Sequence, residues 1–317
     1  MRLVADVPSK LLPVPDARVG ERLDAGIAKM LGLSRTQAGA LIEAGKVSVD
    51  GQPAQKSLKL ALGQLVEVDL EETKSEVKVE AEDVPSLEVV FEDEHIVVIN
   101  KPAGVVSHPT QGYEGPSVPG VLLARGIQLS TSGAQERQGI VQRLDVGTSG
   151  LMVLAKGERA YSVLKQAFRD RVVKKTYHAL VQGHPEPSEG TIDTPIARST
   201  RHDYKFTISH EGKPAVTHYR SIELLPTAAL VEIGLETGRT HQIRVHFAHF
   251  NHPLVGDDLY GSDPKLAQKL GLARQWLHAV KLGFSHPISG EAMEFESKYP
   301  EDLEIALGAL RDVSFRL

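Results

Sequence analysis

Apolar positions divide the chain into stretches of different period. Leu23, Ile27 and Leu31 recur at helical spacing, and Ala38, Leu41 and Ile42 form a second helical stripe. Ser34, with Gln37 three residues on, predicts a capping box at the start of that second helix, and Gly45 predicts its stop. Val47 and Val49 alternate up to Asp50-Gly51, a hairpin-turn dipeptide, and Val66 with Val68 supplies a later strand. Residues 20–70 therefore predict a small unit of two helices and a hairpin. Residues 71–86 carry no stripe and end in Val84-Pro85-Ser86, which predicts an exposed acidic linker or edge segment with a boundary near residue 86, and 1–19 reads as an N-terminal extension.

From Leu87 to the C-terminus the pattern is one long mixed domain. LEVVFEDEHIVVIN predicts two short strands about an acidic turn, and Lys101 to Gly104 (KPAG) a Pro-Gly turn after the second. Residues 111–139 are rich in Gly and Ser and predict loop with a short helix through Val121–Ala124. Ile140-Val141 and Leu151–Leu154 flank a polar turn holding Arg143, Asp145, Thr148 and Ser149. In KKTYHALVQG, period two puts Lys175, Tyr177 and Ala179 on one strand face and Thr176, His178 and Leu180 on the other. Val231, Ile233 and Leu235 alternate as a strand. Thr240 then predicts a helix N-cap, with Ile243, Phe247 and Phe250 as the stripe that follows.

Composition narrows the chemistry. The 317 residues contain no Cys, which excludes disulfide frameworks, thiol nucleophiles and thiolate zinc sites. The N-terminus lacks a signal-peptide core and no apolar run approaches the roughly 18 residues of a membrane span, so a cytoplasmic protein with no membrane association is expected. The net charge of −5 argues against a nucleic-acid partner only until its distribution is considered. Residues 71–95 alone carry −8, the remainder sums to +3, and residues 142–181 carry +5.

Three polar clusters stand out. Arg143 and Asp145, two apart between apolar runs, are either a structural ion pair or part of a site. Arg244 lies beside the helix stripe in the first turns, where the helix dipole opposes a cation, so it needs an anionic partner or substrate. His246, His249 and His252 have a spacing compatible with metal ligation. Pro253 ends the helix near His252 and no E-x-x-H accompanies them, so no metal is expected.

Two resemblances gather these features. RLD, LSRTQAGALIEAGKVSVDG and the Lys56-Ser57 pair closely resemble the alpha-L RNA-binding domain, which implies that Arg35, Lys46 and Lys56 contact phosphates. The ordered pieces NKPAGVVSHP, RLDVGTSGL, KKTYHALV, GKPAVTHYR, TGRTHQIRVH, HPLVGDDLYG and WLHA resemble the RluA-type family of RNA pseudouridine synthases from about residue 87 onward. With the small domain in front, the chain is similar to members that modify large-subunit ribosomal RNA. The resemblance implies an α+β fold: a catalytic domain with a mixed, largely antiparallel sheet and flanking helices and loops, beside the small N-terminal α/β domain. It departs at Gln142, where the family usually has His; Gln keeps hydrogen-bonding capacity but cannot become charged.

By that resemblance the protein isomerises uridine to pseudouridine without a cofactor, as a monomer. Asp145 is the catalytic carboxylate, which either adds to the anomeric carbon or removes the 2′ proton. Arg244 pairs with Asp145, keeping it ionised and aimed. Tyr177 stacks on the uracil and helps handle the C5 proton, and Leu277 walls the base pocket. Arg143 fills the gap left by the flipped base or holds phosphate. Arg169, Arg171, Lys174, Lys175, Arg198, Arg201 and Lys205 form the RNA-backbone surface, the last three in a hairpin that grips RNA. The rivals are a non-catalytic RNA-binding factor, which has no need of Asp145, Tyr177 and Arg244 together, and a glycoside hydrolase, which needs a second carboxylate such as Asp257 or Asp258.

Overall fold

The computed structural model describes residues 9–31, 35–69, 79–109, 113–133, 137–202 and 204–312. Ser34 of the expected capping box and the acidic residues 71–78 lie outside them. The chain divides into two units, Met1–Glu76 and Val77–Leu317.

The first unit runs β1 (Ser9–Pro13), α1 (Leu23–Leu31), α2 (Arg35–Glu43), β2 (Val47–Val49), β3 (Gln52–Pro53) and β4 (Leu65–Asp69). Its four strands form an antiparallel sheet in the order β1-β4-β2-β3. Asp50 and Gly51 between β2 and β3 both take positive φ, 51° and 75°, the backbone that matches the twist of a tight hairpin. Leu23 and Ile27 of α1, Ala38 and Ile42 of α2, and Val47, Val49, Val66 and Val68 of the sheet share one core. The expected N-terminal extension contributes β1, whose Ser9–Pro13 pairs with β4; a single edge strand of mixed composition leaves little periodic trace.

The second unit continues with β5 (Glu88–Glu92), β6 (Ile96–Lys101), α3 (Val118–Ala124), β7 (Ser149–Ala155), α4 (Glu158–Arg169) and β8 (Lys174–Gln182). Next come β9 (Glu189–Asp193), β10 (Ile196–Arg198), β11 (Phe206–Ile208), β12 (Val216–Leu224), β13 (Ala228–Leu235) and α5 (Gln242–His249). It ends with α6 (Pro264–Lys269), β14 (Leu277–Ser285), β15 (Ala292–Glu296) and α7 (Glu301–Arg311). No described helix is long and apolar enough to cross a membrane.

Nine strands form one mixed, largely antiparallel sheet in the order β5-β6-β7-β14-β8-β13-β12-β9, with β15 also paired to β14. β10 and β11 make a separate hairpin. Val97, Ile99, Met152, Leu154, Tyr177 and Val231 pack with Val121 of α3 and with Ile243 and Phe247 of α5. Ile96, Val98, Leu151 and Val153 pack instead with Ala160 and Leu164 of α4. Both faces of β7 are thus covered, which is why its apolar run is continuous rather than alternating. Leu180, Leu230 and Trp276 pack with α6 and α7, and the Trp276 indole N–H donates to Leu303 O at 2.9 Å.

Residues 79–86 are mostly exposed, but they do not hang free of the sheet domain. Arg125 donates to Asp83 at 2.9 Å, to Val84 O at 2.7 Å and to Leu87 O at 2.6 Å, fastening the stretch to the sheet domain. The start of α5 also differs from its prediction. Thr240 is not the cap: His241 takes that place with a left-handed backbone, and the helix begins at Gln242. The Gln242 side chain turns the chain, accepting from Arg239 N–H at 3.0 Å and donating to Val216 O at 3.0 Å. Phe250 falls just past the helix and is exposed, whereas Ile243 and Phe247 are buried.

The one parallel contact among the described strands positions the site. β7 and β14 run side by side only at Ser149–His278 and Gly150–Ala279, and Ala279 also pairs with Tyr177 of β8. Gly150 has φ of 117°, and a Cβ there would lie 2.4 Å from Ala279 O. Gly150→Ala therefore forces both backbone strain and a clash, and is expected to lower stability by about 2–5 kcal/mol. A urea midpoint unchanged from the parent would contradict this reading of the crossing.

Candidate active site

The turn before β7 is fastened from several sides. Ser107 Oγ accepts from Leu144 N–H at 2.8 Å and donates to Leu144 O at 2.7 Å. Thr148 N–H donates to Asp145 O at 3.0 Å, closing the turn. Val146 O accepts from Gly104 N–H at 2.9 Å and from the Lys101 ammonium at 3.4 Å. Arg274 donates to Gly147 O at 3.0 Å. Asp145 is thereby placed by backbone contacts on either side of it.

Lys101 is wholly buried and donates to three carbonyls, of Pro102, Val105 and Val146. Burial draws its ammonium down to about 7, against the attraction of Asp145. Three acceptors and no donor around Nζ favour the charged form, which alone can satisfy all three.

The Asp145 side chain is 22% exposed and faces two cleft residues. Arg244 NH1 lies 3.4 Å from its Oδ2, and His241 Nε2 lies 3.9 Å from the same oxygen. Arg244 reaches Asp145, and it also has a second and closer carboxylate partner. Its guanidinium makes a two-point pair with Asp257, Nε at 2.7 Å and NH2 at 2.8 Å, and offers Asp145 only the remaining nitrogen. The reason is geometric: two parallel N–H groups match one carboxylate, and Asp257 is fully buried beside them. Asp257 also accepts from Leu259 and Tyr260 N–H, and the guanidinium lies 5.1 Å from the centre of the Tyr260 ring. Burial opposes the Arg244 charge, but Asp257 and then Asp145 outweigh it and raise the guanidinium's pKa.

Tyr177 of β8 and Leu277 of β14 line the same cleft, with Leu144, Leu235 and Ile243. The cleft is open to solvent and sets apolar walls beside an Asp–Arg–His cluster, a lining suited to a small planar polar ring. Burial, reinforced by Asp145, pushes the Tyr177 phenol up, so it stays protonated. Arg143 lies at the cleft, one N–H 3.4 Å from His108 Nε2 and another 3.4 Å from Thr240 Oγ1. Gln142 donates to Leu151 O at 3.4 Å, a backbone contact that needs no charge.

The cations expected to face RNA fall into separate groups. In the second unit, Arg169 and Lys174 are exposed, Arg171 lies 3.5 Å from Glu236, and the half-buried Lys175 leans over Phe168. Arg198, Arg201 and Lys205 lie in the β10–β11 hairpin region, with Arg198 over the Phe206 ring. In the first unit, Arg35 pairs with Asp24 at 3.0 Å, Lys56 pairs with Glu43, and Lys46 is half-buried at the start of β2. Arg22 and Arg35 hold the Asp24 carboxyl down at about 2 against its burial.

His246, His249 and His252 do not converge. His246 bonds Thr217 Oγ1 at 2.9 Å and Thr194 O at 3.1 Å, and His252 bonds Gln182 O at 2.8 Å. Among the described residues no three His, Cys, Asp or Glu side chains form a metal-binding group. Asp257 cannot serve as a hydrolase's second carboxylate, since it is fully buried and engaged by Arg244. Sequence reasoning missed the roles of Asp257, Tyr260, His241 and Lys101. Asp257 and Tyr260 stand in GDDLYG and His241 in TGRTHQIRVH, so the motifs contained them without showing which groups meet.

Residues 95–249 match the family model described as RNA pseudouridylate synthase, and residues 21–66 match the S4 domain. An RNA pseudouridine synthase of Mycobacterium tuberculosis is 53% identical over 300 residues, covering 95% of this chain and 97% of that one. The ribosomal large subunit pseudouridine synthase D of Zymomonas mobilis is 41% identical, covering 94% and 96%. The solved structure of Human RNA Pseudouridylate Synthase Domain Containing 4 superposes with a TM-score of 0.55 at 29% identity, over 70% of this chain and 92% of that one.

Removing one side of the buried Arg244–Asp257 pair leaves a charge without its partner. Asp257→Ala is expected to cost about 3–5 kcal/mol, whereas Asp145→Asn, at the partly open end, is expected to change stability by less than about 1 kcal/mol. Equal losses in urea denaturation would contradict the assignment of Asp257 as the principal partner.

Proposed function

We infer the target and chemistry from one premise: the chain belongs to the RNA pseudouridylate synthase family, and as an RNA pseudouridine synthase it isomerises uridine to pseudouridine in RNA. The proposed target is large-subunit ribosomal RNA. Relatives named for that substrate support it, as does the S4 domain, which adds RNA-binding surface. Action as a monomer is part of the proposal.

The observation that carries the chemical reading is the cleft in which Asp145, Tyr177, Arg244 and Leu277 meet. The uridine leaves its stack, at a cost of a few kcal/mol, and enters between Tyr177 and Leu277. Asp145 acts on the ribose, as nucleophile at C1′ or as base at C2′. The N1–C1′ bond breaks, the base turns, and a C5–C1′ bond forms; C5 loses its proton and N1 gains one, so atoms balance without a co-reactant. Arg244 steadies the Asp145 charge with its one free corner while Asp257 holds the guanidinium in place. The protonated phenol of Tyr177 suits a stacking surface better than a base for the C5 proton. Arg143, at the mouth, takes up the space vacated by the base or a neighbouring phosphate.

The reading predicts that Asp145→Asn stops tritium release from RNA carrying 5-³H-uridine while RNA affinity stays within about twofold of the parent. Continued release by that variant would overturn it. For the target, loss of pseudouridine from large-subunit ribosomal RNA in cells lacking the protein supports the assignment, and loss only from transfer RNA removes it.

The hairpin cations, with Arg169, Arg171, Lys174 and Lys175, form the proposed backbone-binding surface. Arg198→Gln, Arg201→Gln and Lys205→Gln together are expected to reduce the slope of log affinity against log salt by about 2–3, one released counterion for each lost phosphate contact. An unchanged slope would remove the hairpin from the binding surface.

A further inference from the structure

His241 lines the cleft within reach of Asp145, and the chemistry above assigns it no work. Its backbone lies in the left-handed region, φ 55° and ψ 20°, at the start of α5, yet its side chain makes no capping bond to the helix. An L residue seldom adopts that conformation, and where one does the surrounding structure holds it there. Here it directs the imidazole between two elements. Nε2 stands 3.9 Å from Asp145 Oδ2 and Nδ1 stands 2.8 Å from the Tyr260 hydroxyl. The Phe206 ring packs edge-on against the imidazole, with centroids 5.6 Å apart.

The partners favour one placement of the ring proton. Tyr260 Oη accepts the backbone N–H of Phe206 at 3.0 Å. Asp145 on the Nε2 side can only accept, which favours the ring proton on Nε2, and Tyr260 then donates its own proton to Nδ1. Protonating the ring would make Nδ1 a donor as well and strip the Tyr260 proton of its acceptor. The groups facing the ring are Asp145 from the turn before β7, Arg244 from α5, and Asp257 and Tyr260 from the segment before α6. Burial lowers the ring's pKa against the pull of Asp145, and Arg244 lowers it further, so it is neutral at neutral pH.

We propose that His241, oriented by Tyr260, is a positioning residue that aims the Asp145 carboxylate at the ribose through its Nε2–H. The 3.9 Å gap is too long for a hydrogen bond in the free protein and closes when substrate fills the cleft. In acid the imidazolium forms an ion pair with Asp145 and holds it off the sugar. Phe206 belongs to β11, so the chain Phe206–Tyr260–His241–Asp145 also joins the cation-bearing hairpin to the carboxylate. The inference rests on Asp145 as the reacting carboxylate.

The test is the single-turnover rate of pseudouridine formation between pH 5 and 8, with RNA affinity measured separately. The variants are His241→Ala, His241→Gln, Tyr260→Phe and the double His241→Ala/Tyr260→Phe. His241→Ala is expected to slow the reaction about 10–100-fold with affinity within about twofold. His241→Gln, whose amide nitrogen falls near Nε2, is expected to recover most of that loss and to flatten the fall in rate on the acid side of the profile. Tyr260→Phe should slow the parent about 5–20-fold but add nothing to His241→Ala, because it acts through that ring. Additive losses, or a Gln variant with the parent's acid limb, would overturn the proposal. Asp145→Asn separates the two levels. If that variant turns over, the underlying reading of Asp145 fails. If it is inert while His241→Ala matches the parent in rate and pH profile, only the role of His241 fails.

Discussion

The Arg244 guanidinium, shared between a buried carboxylate and a half-open one, is the constraint around which the catalytic domain is arranged. Asp257 takes two of its N–H groups at 2.7 and 2.8 Å, which fixes the plane and leaves a single corner for Asp145. A cation in so buried a position is tolerable only when paired, and the pairing aims its residual field at the open end of the cleft. Asp145 can then carry a negative charge beside apolar walls, because the cation is already bound in place when the charge is needed. The other contacts serve that geometry. Lys101, Gly104 and Arg274 hold the backbone on either side of Asp145, and the β7–β14 crossing brings Ser149, His278 and Tyr177 into register a few residues away.

Much of this was legible in the chain because it is local. The Leu23–Ile27 stripe, the Asp50-Gly51 turn and the strand about Val231 and Ile233 each follow from a period or a turn dipeptide. Asp145, Tyr177, Arg244 and Leu277 were recognisable by resemblance, and the fold brings all four to one cleft. What could not be read is pairing over distance. Nothing about Arg244 in sequence shows that it prefers Asp257 to Asp145, since the choice depends on the angle at which the segment after α5 returns. The cap of α5 was misplaced at Thr240 because propensity favours Thr, whereas the Gln242 side chain and a left-handed His241 make the turn. The tie between residues 79–86 and Arg125 was hidden by distance, since the two lie some forty residues apart.

Charge shows the same difference between an average and an arrangement. A net −5 conceals a strongly acidic stretch at 71–95 and a basic block around the cleft and β8. In the first unit, Arg35 and Lys56 already have carboxylate partners, so phosphate contact there exchanges one anion for another rather than filling an empty position.

The account stands most directly on where the uridine and its ribose lie. A crystal structure of the Asp145→Asn chain bound to substrate RNA would show this. The account predicts a flipped uracil stacked on Tyr177 opposite Leu277, its C1′ or C2′ within about 3–4 Å of the side chain at position 145, and Arg244 still paired with Asp257. A uridine that remains stacked in the RNA, or a base bound away from Tyr177, would contradict it.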